Sequence, residues 1–223
     1  DIPVAVDTIV DAFQVANDPL ERYFHSTPDR NDSNLKQASI RLSLALEFAK
    51  AIHDQTLWTI NGGESIMISA LDLKPKKPVD KLIDVVFPFV SEPLLLRSKQ
   101  QKKRVKEFRQ KMKKSIDGSI GDRIDTMLAV SSLVTAPAHQ GHGYATRLVQ
   151  MVTAEADKRG WATWLGSSNV AVNTEFYNSL GFFTVDRIFL GDSDRTWKEP
   201  PVPADLMVRE PKATSLAEKA GLA

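Results

Sequence analysis

Hydrophobic positions recur along this chain with two periods, one helical and one strand-like, and the switches between them mark the elements. In Val4–Asn17 the apolar residues Val6, Ile9, Val10 and Phe13 follow a helical spacing, which Asn17-Asp18-Pro19 breaks. His25–Ser33 is a polar loop. Asn34–Ile52 reads as an amphipathic helix with Leu35, Ala38, Leu42, Ala45, Leu46 and Ala49 on one face. Asn34 is placed to cap it, with Gln37 completing a capping box. Thr56–Ile60 and Ser65–Leu73 then read as two strands joined through Asn61-Gly62-Gly63, the signature of a hairpin.

The pattern changes after residue 73. Lys74–Val79 is rich in Lys and Pro, and Asp80–Leu96 is apolar but broken by Pro88 and Pro93. Arg97–Lys114 carries ten Lys and Arg against the single acid Glu107, with a start signal at Ser98 and Gln101 and a narrow apolar stripe of Val105, Phe108, Met112 and Ile116. We read about 74–117 as a basic helical insertion. Beyond Asp117-Gly118, strand Thr126–Thr135, a glycine turn, helix Tyr144–Arg159 closed by Gly160, strand Trp161–Gly166, helix Asn173–Leu180 capped by Asn173, strand Phe182–Leu190 and a short strand Leu206–Arg209 follow. Such alternation implies an α/β construction with at least one parallel pair. The polar stretch after Pro211 reads as a mobile tail. The whole, 1–223, is expected to be one domain carrying the insertion.

Composition narrows the chemistry. The chain has 223 residues, a net charge of +1 and no cysteine. Disulfides, cysteine nucleophiles and thiolate metal sites are therefore excluded. The near-neutral charge gives no reason to expect a nucleic-acid partner. No apolar run approaches the ~20 residues of a membrane span. With no secretory signal visible, a cytoplasmic protein is expected. The basic stretch 97–114 admits three readings: a solvated helix face, a lid meeting a ligand phosphate or acidic substrate, or a polyanion-binding surface.

The candidate chemistry centres on Gln140-Gly141-His142-Gly143-Tyr144-Ala145. Glycines between a strand and a helix leave backbone N–H groups free at the positive end of the helix dipole, an arrangement suited to a phosphate. There is no Lys after the glycines, as a Walker loop needs, and no third glycine, as a dinucleotide fingerprint needs. A tight turn without a ligand is the plain alternative.

The context adds a second element. Gln-x-x-Gly-x-Ala follows the strand ending Leu133-Val134-Thr135, and Asn173-Thr174-Glu175-Phe176-Tyr177 with Gly181-Phe182 comes some 30 residues later. In combination these resemble the GCN5-related N-acetyltransferase (GNAT) superfamily over about Thr126–Leu190. The resemblance implies a mixed, mostly antiparallel sheet with a splayed central parallel pair, flanked by helices. It implies transfer of an acetyl group from acetyl-CoA to an amine by direct attack in a ternary complex, without a metal. Family members cradle the CoA pyrophosphate on turn amides, here Gln140, Gly141, His142, Gly143, Tyr144 and Ala145, with Thr146 close by. The main chain of Leu133, Val134 and Thr135 would pair with the pantetheine arm, and Asn173 would lie near it. Tyr177 would be the general acid that protonates the departing thiolate; its alternative is a core aromatic. For Asn173 the alternative is a helix cap alone. Glu64, Asp72 and Asp125 are the acids near enough to weigh as the general base, and none stands out. The expected acceptor is a small-molecule amine. A GNAT-fold acyl-CoA binding protein without turnover is the alternative function.

Overall fold

Asn61 and Gly62 both adopt left-handed backbone, with φ of 49° and 69°. They reverse the chain between strands β1 (Leu57–Ile60) and β2 (Ser65–Ser69), which pair antiparallel. The computed structural model describes residues 1–69 and 78–212. The segment 70–77 and the tail 213–223, including Asp72 and the start of the expected insertion, lie outside the described residues. The hairpin opens a six-stranded sheet of order β1-β2-β3-β4-β6-β5. Its other strands are β3 (Met127–Thr135), β4 (Ala162–Ser167), β5 (Phe183–Leu190) and β6 (Val202–Arg209). All neighbours are antiparallel except the central pair β3 and β4.

Helices cover both faces. On one lie α6 (Tyr144–Arg159) and α7 (Val170–Ser179), packed over Met67, Leu128, Val130, Leu165 and Met207. On the other, α1 (Ile2–Ala16) and α3 (Asn34–His53) cover Ile66 and Val134, and α5 (Lys99–Ser119) covers Met127, Leu206 and Val208. The short α2 (Pro19–His25) packs on α5, and α4 (Pro78–Leu94) lies along α3. The face assignment in β3 changes midway. Leu128 and Val130 point toward α6, whereas Val134 points toward α1 and Leu133 toward α6. The extra residue responsible is in the β2–β3 register: Ile68 pairs Ser131 and Ile66 pairs Val134, so two steps on β2 match three on β3. Ser132, at φ 48°, is the left-handed residue of this bulge.

Several sequence expectations need correction. The cap of α3 is Ser33, whose Oγ accepts from Lys36 N, rather than Asn34. Its expected apolar face is turned the wrong way: Leu35 is 74% exposed and Leu42 51%, while Lys36, Ser43, Phe48 and Ala51 are buried. The reason is the set of neighbours: α4 accepts from Ser39 and Ser43, α5 meets Lys36 through Gln101, and Phe48 joins the core under α1. Helix α4 continues through Pro88 and Pro93. Strand β6 starts at Val202, four residues before the expected Leu206. Pro203 is tolerated there because it precedes the span paired with β4. Ser98 and Gln101 do form the capping box of α5. Trp197, in the loop between β5 and β6, is buried against Tyr23. Among the described residues no helix is long and apolar enough to cross a membrane.

Candidate active site

The turn before α6 is held open by two left-handed glycines, Gly141 at φ 80° and Gly143 at φ 75°. A Cβ at either position would meet nothing within 4 Å. Gly143 is the N-cap of α6 and supplies no side-chain acceptor. Consequently six successive amides, from Gly141 to Thr146, find no acceptor among the described residues; the first intrahelical bond is Arg147 N to Gly143 O at 3.0 Å. Sixteen residues of helix stand behind them with Lys158 and Arg159 in the last turn, so the positive end of the dipole faces this opening.

Neighbouring residues brace the turn. Gln140 Nε2 donates to Thr135 O at 3.3 Å, tying the turn back to the end of β3. From the hairpin, Asn61 Nδ2 donates to Tyr144 Oη at 3.2 Å and to Glu64 Oε2 at 2.8 Å. Ala136 N donates to Glu64 O at 2.8 Å. His142 is exposed, and its Nδ1 lies 3.0 Å from Gln140 O.

The parallel pair opens beside this turn. β3 and β4 pair only over Met127–Ala129 with Ala162–Trp164. Beyond that, Val130–Thr135 has no partner on the β4 side, and Leu165–Ser167 pairs only with β6. Parallel strands end at the same edge of a sheet. The free amides after β3 and the chain after β4 therefore flank one crevice, the usual location of a ligand in such topologies.

A small polar network closes the β4 side. Asn173 Nδ2 donates to Ser168 O at 2.8 Å, and Ser168 Oγ donates to Asp18 Oδ2 at 2.8 Å. Asp18 is 7% exposed and caps α2, its Oδ1 accepting from Leu20 N at 2.8 Å and Glu21 N at 3.2 Å. One turn beyond Asn173 on α7, Tyr177 is buried against Phe176 and Phe182, with ring centroids 5.0 and 5.9 Å away. Burial raises its phenol to about 12. Its hydroxyl makes no hydrogen bond among the described residues, so it is held protonated at neutral pH with its proton uncommitted.

Residues 111–183, which run from the end of α5 through β3, the turn, α6, β4 and α7, match the family model described as an acetyltransferase (GNAT) domain. Over that third of its length the chain is similar to a GNAT acetyltransferase domain. Two solved structures agree on the fold. Arylalkylamine N-acetyltransferase 2 from Aedes aegypti superposes with a TM-score of 0.54 at 16% identity, covering 93% of this chain and 94% of that one. A mosquito arylalkylamine N-acetyltransferase like 5b gives 0.54 at 17%, covering 92% and 94%. A histone acetyltransferase HPA2 and related acetyltransferase from Corynebacterium glutamicum gives 0.48 at 18%, covering 97% and 94%. No curated protein matches the chain in sequence.

Within the GNAT frame, Gln140, Gly141, His142, Gly143, Tyr144, Ala145 and Thr146 lie together in the turn, and Leu133, Val134 and Thr135 follow the bulge on the opened strand. Asn173 is not the cap expected from the sequence. α7 starts at Val170 after Asn169 in the left-handed region, and Asn173 sits one turn inside it. Of the three acids weighed as base, Glu64 is engaged by Asn61 at the turn. Asp125 lies in the 3₁₀ turn Gly121–Thr126, at the opposite end of β3. Asp18 was missed. Its only sequence signal, an Asp before a Pro, marks a helix start, which is what it also does here.

Proposed function

We propose that this chain is an acetyl-CoA-dependent N-acetyltransferase acting on a small amine by direct attack in a ternary complex. The observation that carries the proposal is the run of six acceptor-free amides, Gly141 to Thr146, beside the opening between β3 and β4. A pyrophosphate offers several anionic oxygens, and two glycines let it approach the backbone without meeting a Cβ. Arg147, exposed and without an ion pair among the described residues, supplies positive charge that Gln140 does not. The unpaired β3 edge at Leu133–Thr135 offers main-chain groups to an amide-bearing pantetheine arm, as an added strand would.

Direct attack requires two proton movements. The amine nitrogen forms its bond to the acetyl carbon, the carbon–sulfur bond breaks, and a proton leaves the nitrogen while the sulfur gains one. Asp18 is the group we assign to the first movement, acting directly or through Ser168. It is buried, already accepts from the Ser168 hydroxyl, and stands where β4 ends. Tyr177 is assigned to the second, because its proton is retained at neutral pH and bound to nothing else. Asn173 fixes the Ser168 carbonyl and so holds the end of β4 in place.

Thiol release from acetyl-CoA, measured across a library of amines that includes arylalkylamines, tests the assignment. Amine-dependent release with 1:1 acetylation of the amine is expected. CoA binding without release on any amine would replace the enzyme with a binding protein. In Gly143→Val the added Cβ meets no protein atom within 4 Å, and the side chain fills the phosphate approach. CoA affinity should fall ~100-fold or more, with a fold cost near 1–2 kcal/mol from the left-handed backbone. Unchanged affinity would overturn the cradle.

A further inference from the structure

Helix α4 is inside out for a surface helix. The residues it turns toward α3 include the charged and polar Asp80, Asp84 and Ser91 at helical spacing, with Phe87 among them. His53 Nε2 lies 3.1 Å from Asp80 Oδ1, Lys50 Nζ 2.6 Å from Asp84 Oδ1, and Ser43 Oγ donates to Ser91 O at 3.2 Å. The opposite side carries Val85, Val86, Phe89 and Val90, which are 64, 47, 77 and 51% exposed. A surface helix ordinarily places these the other way round. Phe89 alone contributes a large apolar area to solvent, and its neighbours form a continuous ridge rather than scattered single residues.

The ridge runs into a cationic groove. Glu92 and Pro93, at i+7 from Val85 and Val86, share its side of the helix and line a cavity of about 620 Å³ against α5. The other charged walls are Arg97, Lys102, Lys106, Arg109 and Lys113. Glu92 is shared by Arg97 and Arg109, and Lys113 pairs with Asp117 at 2.6 Å. Lys102 and Lys106 have no ion pair among the described residues. Elsewhere in the basic stretch, Arg104 is fully buried on Asp194 and Lys111 pairs with Glu107 and Asp192, while Lys99, Lys103 and Lys114 also lack an ion pair among the described residues.

We propose that α4 and the outer face of α5 form a docking surface for an anionic lipid membrane, on which the chain lies peripherally. A convex apolar ridge fits a deformable acyl boundary, and unpaired lysines beside it fit headgroup phosphates. A second copy of the chain fits poorly, because a two-fold contact through this face would set Lys102 and Lys106 against their own copies.

The test is co-sedimentation of the full chain with vesicles of phosphatidylcholine alone, or with about one third phosphatidylserine. Partition onto the acidic vesicles should be at least ~10-fold stronger and should vanish near 0.5 M salt, where the Debye length falls below ~5 Å. Val85→Ser with Phe89→Ser, and separately Lys102→Glu with Lys106→Glu, should each weaken it by ~10-fold or more. Both pairs should leave the circular dichroism spectrum unchanged. No partition at low salt overturns the proposal, as does equal partition onto neutral and acidic vesicles. Concentration-dependent self-association abolished by Phe89→Ser, without vesicle binding, overturns it in favour of a second copy.

Discussion

Replacing Tyr177 by Phe removes one oxygen from the molecule and separates chemistry from stability. The ring is buried among Phe176, Phe182 and the core beneath α6, and Phe reproduces those contacts. The hydroxyl donates to nothing among the described residues, so no protein hydrogen bond is lost. Removing a poorly solvated, unpartnered hydroxyl should therefore change folding free energy by between nothing and a gain of about 1 kcal/mol. For a chain of this length that is a rise in Tm of at most ~4 °C. If the same hydroxyl protonates the departing thiolate, turnover falls by ~10²–10⁴ with CoA affinity unchanged. The assay is thiol release at saturating amine, alongside calorimetric Tm and CoA titration. The alkaline limb gives an independent sign. The folded phenol sits at about 12 against an ordinary 10, so the unfolded chain loses its proton first. Stability is unaffected below pH 10 and falls as pH rises from 10 through 12, and this contribution is absent from the Phe variant. Full turnover in Tyr177→Phe refutes the acid role. A loss of several kcal/mol would show that the hydroxyl has a partner.

Asp18→Asn keeps the helix cap, since Asn caps as well as Asp, and should hold Tm within a few degrees while turnover drops ~10²–10⁴. Acceptors that are already neutral at the assay pH should lose much less, and equal loss for all acceptors would remove Asp18 from the proton path. Arg104→Met strands the buried Asp194 carboxylate and the carbonyls of Tyr23 and Ser26 that Arg104 binds at the end of α2. A cost of ~3–5 kcal/mol is expected, read as a Tm fall of ~6–20 °C by calorimetry. For Asp194, burial alone would raise the carboxyl, but hydrogen bonds from Thr196 and Arg104 outweigh it and bring it to about 2. Its stabilisation is complete above pH 4 and lost as pH falls from 4 through 2. The Arg104 variant should show a shallower acid limb in that window, and an unchanged limb would contradict this origin.

The parts of this fold legible in the sequence are those whose signals are local. The hairpin at Asn61-Gly62 and helix α6, from Tyr144 to Arg159 with Gly160 as its left-handed cap, follow from turn and cap chemistry within a few residues. The features that escaped are long-range. Which flank of α3 is buried depends on α4 and α5, so Ser43 meets Ser91 and Lys36 meets Gln101 while Leu35 faces water. Asp18 meets Ser168 across 150 residues of chain, and nothing near Asp18 announces a partner there. The ten cations of Arg97–Lys114 look alike in sequence, yet among the described residues Arg104 is fully buried and stacks on Tyr23 and Trp197, while Lys102 has no ion pair. Helical spacing separates faces, but only the packed neighbours decide which face holds a buried ion pair.

Titration of the ¹⁵N-labelled chain with CoA, followed at each backbone amide, tests the cradle most directly. The amides of Gly141 to Thr146 should show the largest shifts and slower exchange with solvent, together with smaller changes at Leu133–Thr135. Saturable CoA binding that leaves those six amides unmoved would contradict the assignment of this turn.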